Sequence, residues 1–249
     1  MNAVKFSAGL LLLIVTVQAL AYDSKEAMID DKLRILAEAG DATKIEMLQR
    51  LQWSGLSDER LFDRIAEWPQ QAYSTNDLNS DEVNLMSHQI RALGFSGNPK
   101  YQTLLESAKA SAGNKKIKRH AGNALRDLAN YERWNAEIAQ SDFSVSGKPF
   151  EVANYMKMIN SADTAVQRMG ARAVFHERQS DPELLEMIAR ELQANYQREG
   201  LDGETQDTLA WFCKALGQNA LGQYGKLLVE VRDNTPYSKI RKWARKYVK

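Results

Sequence analysis

Residues 57–78 read SDERLFDRIAEWPQQAYSTNDL, and 123 residues later residues 180–201 read SDPELLEMIARELQANYQREGL. The match runs without a gap from 57–125 onto 180–248. Identities fall at Leu61/Leu184, Ile65/Ile188, Ala66/Ala189, Tyr73/Tyr196, Ala92/Ala215, Leu93/Leu216, Gly94/Gly217, Tyr101/Tyr224, Lys116/Lys239 and Ile117/Ile240, among others. Self-similarity at a fixed offset is the mark of a repeat architecture. The matched positions are mostly apolar or small and lie three or four residues apart, as one buried face of a helix requires. The chain therefore reads as two related halves, each built from helices.

Helix starts are legible around this stretch. Ser57-Asp58-Glu59 and Ser180-Asp181-Pro182-Glu183 put a capping side chain ahead of acidic first-turn residues, with Pro182 where a missing N–H costs nothing. Gly94 and Gly217 follow a basic turn, and each is expected to close its helix as a left-handed C-cap. The periodicity predicts helices over 25–39, 42–54, 58–73, 79–93, 99–112 and 115–130. A second set is predicted over 147–160, 162–177, 181–198, 203–216, 219–233 and 237–248, after an irregular connector at 131–146. No alternating segment is long enough for a strand, so the predicted class is all-α, with about twelve helices. The halves are 22–130 and 147–249.

Residues 1–21 have a different character. Lys5 is the sole charge ahead of an apolar run from Ala8 to Val17, and Ala19-Leu20-Ala21 is a small-x-small cleavage pattern. The run is shorter than the roughly 20 residues a membrane-spanning helix needs. A cleavable signal peptide is expected, cut after Ala21, with no membrane-spanning segment left in the mature chain. The sequence holds one cysteine, Cys213, and no Asn-x-Ser/Thr acceptor. Disulfide-free export points to a periplasmic or secreted protein.

Composition narrows the work such a chain does. The 33 Lys and Arg nearly balance the 32 Asp and Glu. A nonspecific nucleic-acid binder would carry a strong positive excess, so no nucleic-acid partner is expected. His88, His120 and His176 lie in no metal-ligand spacing, and Cys213 aligns with Ile90, as a buried small hydrophobe would. No phosphate-binding loop or nucleophile elbow is present. The reading is of a chain without catalytic residues, metal or cofactor.

Paired helices of 12–18 residues repeating every 35–45 residues suggest an α-solenoid. The segments 115–125 (KKIKRHAGNAL), 163–174 (DTAVQRMGARAV) and 237–248 (YSKIRKWARKYV) resemble the second helix of HEAT-like repeats. The phrase 93–101 (LGFSGNPKY) resembles an inter-repeat turn of bacterial proteins of that class. The likeness implies a scaffold whose second helices line a concave groove, with no reaction attached. Some HEAT-like proteins are chromophore lyases, but no separate motif points that way here.

Charge is distributed unevenly. From Tyr22 to Glu82 there are 14 acidic and 7 basic residues, and from Tyr224 to Lys249 there are 8 basic and 2 acidic. With the groove that the resemblance implies, Lys116, Lys118, Arg119, Lys239, Arg241 and Lys242 make a basic inner stripe. Trp243, Tyr247, Tyr224 and Tyr101 would add aromatic grip. The expected partner is a protein with an acidic surface, and the alternative is an anionic envelope component, a lipid headgroup or glycan.

Overall fold

Apolar side chains at three- and four-residue spacing turn one stripe of each segment inward, and the chain folds into helices wherever that stripe persists. The computed structural model describes residues 22–140 and 147–248. Among them are twelve α-helices and no strand. They are α1 (Lys25–Glu38), α2 (Asp41–Arg50), α3 (Glu59–Ala72), α4 (Ser80–Phe95), α5 (Gln102–Ser111) and α6 (Lys115–Gln140), then α7 (Phe150–Ile159), α8 (Thr164–His176), α9 (Pro182–Asn195), α10 (Gly203–Asn219), α11 (Leu221–Asn234) and α12 (Ser238–Tyr247). Short 3-10 turns sit at Leu51–Trp53 and Pro99–Tyr101. No helix among the described residues is long and apolar enough to cross a membrane. The signal peptide expected over 1–21 lies outside the described residues.

The offset of 123 residues holds for the element bounds. α3 and α9 begin and end 123 residues apart, α4 and α10 begin so, α5 and α11 end so, and α6 and α12 begin so. Their neighbours correspond as well. α3 packs on α4, α4 on α6 and α5 on α6, while α9 packs on α10, α10 on α12 and α11 on α12. Single contacts recur with them. The Tyr101 hydroxyl donates to Asp63 and the Tyr224 hydroxyl to Glu186. Lys116 Nζ donates to Asn84 at 2.6 Å, and Lys239 Nζ pairs with Asp207 at 3.1 Å.

Gly94 and Gly217 behave otherwise than expected. Neither ends its helix; both lie inside it, buried, at a close crossing. A Cβ on Gly94 would stand 2.7 Å from the main chain of Ala124, and one on Gly217 would enter the ring of Tyr247. The missing side chain is spent on helix–helix approach, and the left-handed turn falls instead at Gly97, with φ of +63°.

The irregular connector expected over 131–146 is helical as far as Gln140. Leu128, Tyr131, Asn135 and Ile138 carry the buried stripe of α6 onward at spacings of three and four. Residues 141–146 lie outside the described residues. Polar bonds tie this extension back to the turns of the first set, and Arg133, Trp134 and Glu137 reach across to Asp163 and Ser161. Asn135 Nδ2 donates to the carbonyls of Phe95 at 3.0 Å, Ser96 at 3.1 Å and Leu56 at 3.5 Å. The Tyr131 hydroxyl donates to the Gln52 carbonyl, and Asn154 Nδ2 donates to that of Ser54.

Candidate binding surface

The seven candidate residues divide between two helices with different neighbours. Lys116, Lys118 and Arg119 lie on α6, which packs on α4 and α5; Lys239, Arg241, Lys242 and Trp243 lie on α12, which packs on α10 and α11. Several of the cations are already engaged. Lys116 holds Asn84, Lys239 holds Asp207, and the Arg241 guanidinium donates to the Thr235 carbonyl. Asp207 with Glu204 also meets Arg168, so that corner is close to neutral. Lys118 is half-buried, while Arg119 and Lys242 are exposed. The expected grip of Tyr101 and Tyr224 is corrected: both are buried, with hydroxyls tied to Asp63 and Glu186. Tyr247 is half-buried against Gly217. Cys213 is fully buried, and burial pushes its thiol up to about 12.

What α12 contributes is Trp243, and it does so as the end of a longer row. α8, α10 and α12 lie side by side, and each turns aromatic and basic residues spaced three or four apart to the same face. The row begins at Trp53, whose ring stacks on His176 with centroids 4.7 Å apart and planes 4° from parallel. Trp211 follows, 5.8 Å from His176 and 5.6 Å from Phe175. Arg172 lies over both indoles, 5.7 Å from the centre of Trp53 and 5.5 Å from that of Trp211. Lys214 Nζ stands between Trp211 and Trp243, 3.4 Å and 3.9 Å from their centres. Lys246 and Lys242 complete the row over Trp243, at 5.0 Å and 5.6 Å.

These cations are held by π faces rather than by carboxylates. Among the described residues Arg172, Lys214, Lys242 and Lys246 make no ion pair. Burial lowers the Lys214 ammonium below its usual range, and Lys246 and Arg172 push in the same direction against Asp207. Burial likewise lowers the Arg172 guanidinium, whose Nη2 reaches Gln52 while its buried Nε finds no partner. Lys242, exposed and over the Trp243 ring alone, keeps its charge available on the side away from that ring. The row thus offers flat apolar rings and unneutralised positive charge together.

The equivalent place in the first half is built from other residues. His88 and His120, widely separated in sequence, meet edge to face with centroids 5.6 Å apart, 123 residues before Trp211 and Trp243. Arg91 stands where Lys214 stands, but it is paired with Asp127 and lies over Phe95. Burial, His88 and the nearby cations Arg119, Lys116 and Arg91 bring the His120 imidazole down to about 4. No group of three or more metal-ligating side chains forms among the described residues. Among the described residues the tryptophan–lysine pairs of the row, Trp211 with Lys214 and Trp243 with Lys246, have no counterpart at His88, Arg91 and His120.

Trp53, Arg172, His176, Trp211 and Lys214 are absent from the sequence-derived candidates. The signal that marks part of the row is a repeated spacing, Trp211-x-x-Lys214 and Trp243-x-x-Lys246. Trp53 carries no such mark, because it joins the row through a contact 123 residues away. No protein-family model, curated protein or solved structure matches this chain.

Proposed function

We propose that this chain is a HEAT-like α-solenoid of two duplicated halves, exported by a signal peptide cut after Ala21, and that it serves in the periplasm as a scaffold holding an acidic protein segment. The carrying observation is the row from Trp53 through Trp211 to Trp243, in which indole rings alternate with cations that make no ion pair among the described residues. Extended acidic segments suit such a face. Their carboxylates meet Arg172, Lys214 and Lys246, and their apolar side chains lie on the indoles. The ordered neighbours of the helices and the contacts that recur at 123 residues support the solenoid and the duplication.

Tyr22 supports the export reading. Its main-chain nitrogen lies 3.1 Å and 3.3 Å from the two carboxylate oxygens of the buried Glu151, and its carbonyl accepts from Phe150 N–H. Cleavage after Ala21 would place a free ammonium on that carboxylate, which burial, with Glu177 nearby, holds above the ordinary range. Intact mass of the exported protein, beginning at Tyr22, tests the cleavage.

The binding role is tested by pull-down from the native envelope with wild type and with W211A/W243A. A protein recovered by the wild type, released by salt and lost by the variant, supports the reading. Retention on membrane vesicles or cell-wall sacculi with no protein recovered would replace it with the envelope-component alternative.

A further inference from the structure

A cavity of about 360 Å³ opens at the far side of Trp53, between α1, α2, α7 and the turn after α8. It is at the small end of the range for ligand sites, about 300–1,000 Å³. Its walls are mainly apolar, from Met28, Ile35, Met47, Trp53 and Tyr155. The charged groups on the rim are nearly all accounted for. Glu177 receives Arg50 at 2.7 Å and the Trp53 indole N–H at 3.0 Å. Glu151 receives the Tyr22 nitrogen, and Asp31 receives the Tyr22 hydroxyl and Arg34.

Lys32 is the exception. It lines the cavity and is 9% exposed, yet its ammonium makes no hydrogen bond or ion pair among the described residues. Its ammonium lies over the face of the Tyr22 ring, 5.5 Å from the centroid. A largely buried ammonium with no anion in direct contact is costly, and the cost falls if one joins it. Burial lowers its affinity for a proton, although Asp31, Glu177 and Glu151 act the other way. Those same carboxylates, already partnered, would repel a doubly charged head more than a singly charged one.

We propose that this cavity binds a small amphiphilic monocarboxylate, with its head on Lys32 Nζ and its apolar body against Met28, Met47 and Tyr155. The site shares Trp53 with the row but presents the cavity on the other side of that ring, and neither Trp211 nor Trp243 lines it. Dodecanoate and its neutral counterpart dodecanol are the probes, titrated by calorimetry into the protein as recovered from cells. Saturable one-site binding of dodecanoate, at least tenfold tighter than dodecanol, is expected. K32M should remove that preference, and M47W, which fills the cavity, should abolish binding with the melting temperature as the check on folding. Equal affinity for the two probes, no saturable binding, or unchanged dodecanoate binding by folded K32M would overturn the proposal. Should either variant fail to fold, the comparison of the two probes on the unaltered protein still decides.

Discussion

The Lys214 ammonium lies 3.4 Å from the centre of the Trp211 ring, and the same ammonium faces Trp243 on the next helix at 3.9 Å. One cation therefore joins α10 to α12 through two π faces. Cation–π pairs that are partly desolvated are worth about 0.5–2 kcal/mol. A double-mutant cycle of K214M and W243A, followed by urea unfolding, should give a coupling within that range. The equivalent cycle at R91M and H120A should give less, since Arg91 is held by Asp127 instead.

Asn135 pins α6 to the turn before α3 and to the end of α4. Its amide serves three main-chain carbonyls from two different turns, and its side chain is buried. Replacing it by leucine leaves those carbonyls without their donor inside the protein. The cost of buried unsatisfied groups, about 1–3 kcal/mol, should appear as a lower urea midpoint. N135D removes the donor and adds a buried charge, so it should be the more damaging of the two.

Gly94 and Gly217 are aligned in sequence, but alanine should not be tolerated equally at them. At Gly94 the new methyl meets the main chain of Ala124 in the middle of α6, which cannot yield without moving the helix. At Gly217 it meets Cβ and Cγ at the root of the Tyr247 side chain, which clear only if the last turn of α12 shifts, a smaller movement than displacing the body of α6. G94A should destabilise by roughly 1–3 kcal/mol and G217A by less, judged by thermal melting.

His120 makes stability depend on pH. Its imidazole titrates at about 4 in the folded chain, against an ordinary value near 6.5. Between these values the unfolded chain binds the proton and the folded chain does not. Stability should therefore fall as pH drops from about 6.5 toward 4. H120W, which installs the residue of the other half, should flatten this part of the profile. His88, also lowered by burial and by Lys116, should leave a smaller slope of the same sign.

Much of the fold was legible because local signals and packing agree. Asp58 and Asp181 cap where their spacing says they should, the first by accepting from Arg60 N–H and the second from Glu183 and Leu184 N–H. The offset that relates Ile65 to Ile188 also relates the helices that carry them. The errors share one cause. A glycine after a basic turn has the same appearance whether it ends a helix or admits a neighbour, and only the neighbour decides. Gly94 and Gly217 needed Ala124 and Tyr247 in place. The continuation of α6 past residue 130 likewise depends on Tyr131 and Asn135 finding carbonyls 39 to 79 residues away. For the binding face, basic composition pointed to α12 but could not distinguish cations neutralised across helices, as Lys239 is by Asp207, from those held over rings, as Lys214 is.

The face itself is tested most directly by site-specific photocrosslinking in the native envelope. A photoreactive residue at Gln218, exposed on α10, would be compared with one at Arg190, exposed on α9. The account predicts a crosslink from position 218 to an acidic stretch of a partner protein, lost when W211A and W243A are added, and none from position 190. Equal crosslinking from both positions, or a crosslink at 218 that survives removal of both indoles, would contradict it.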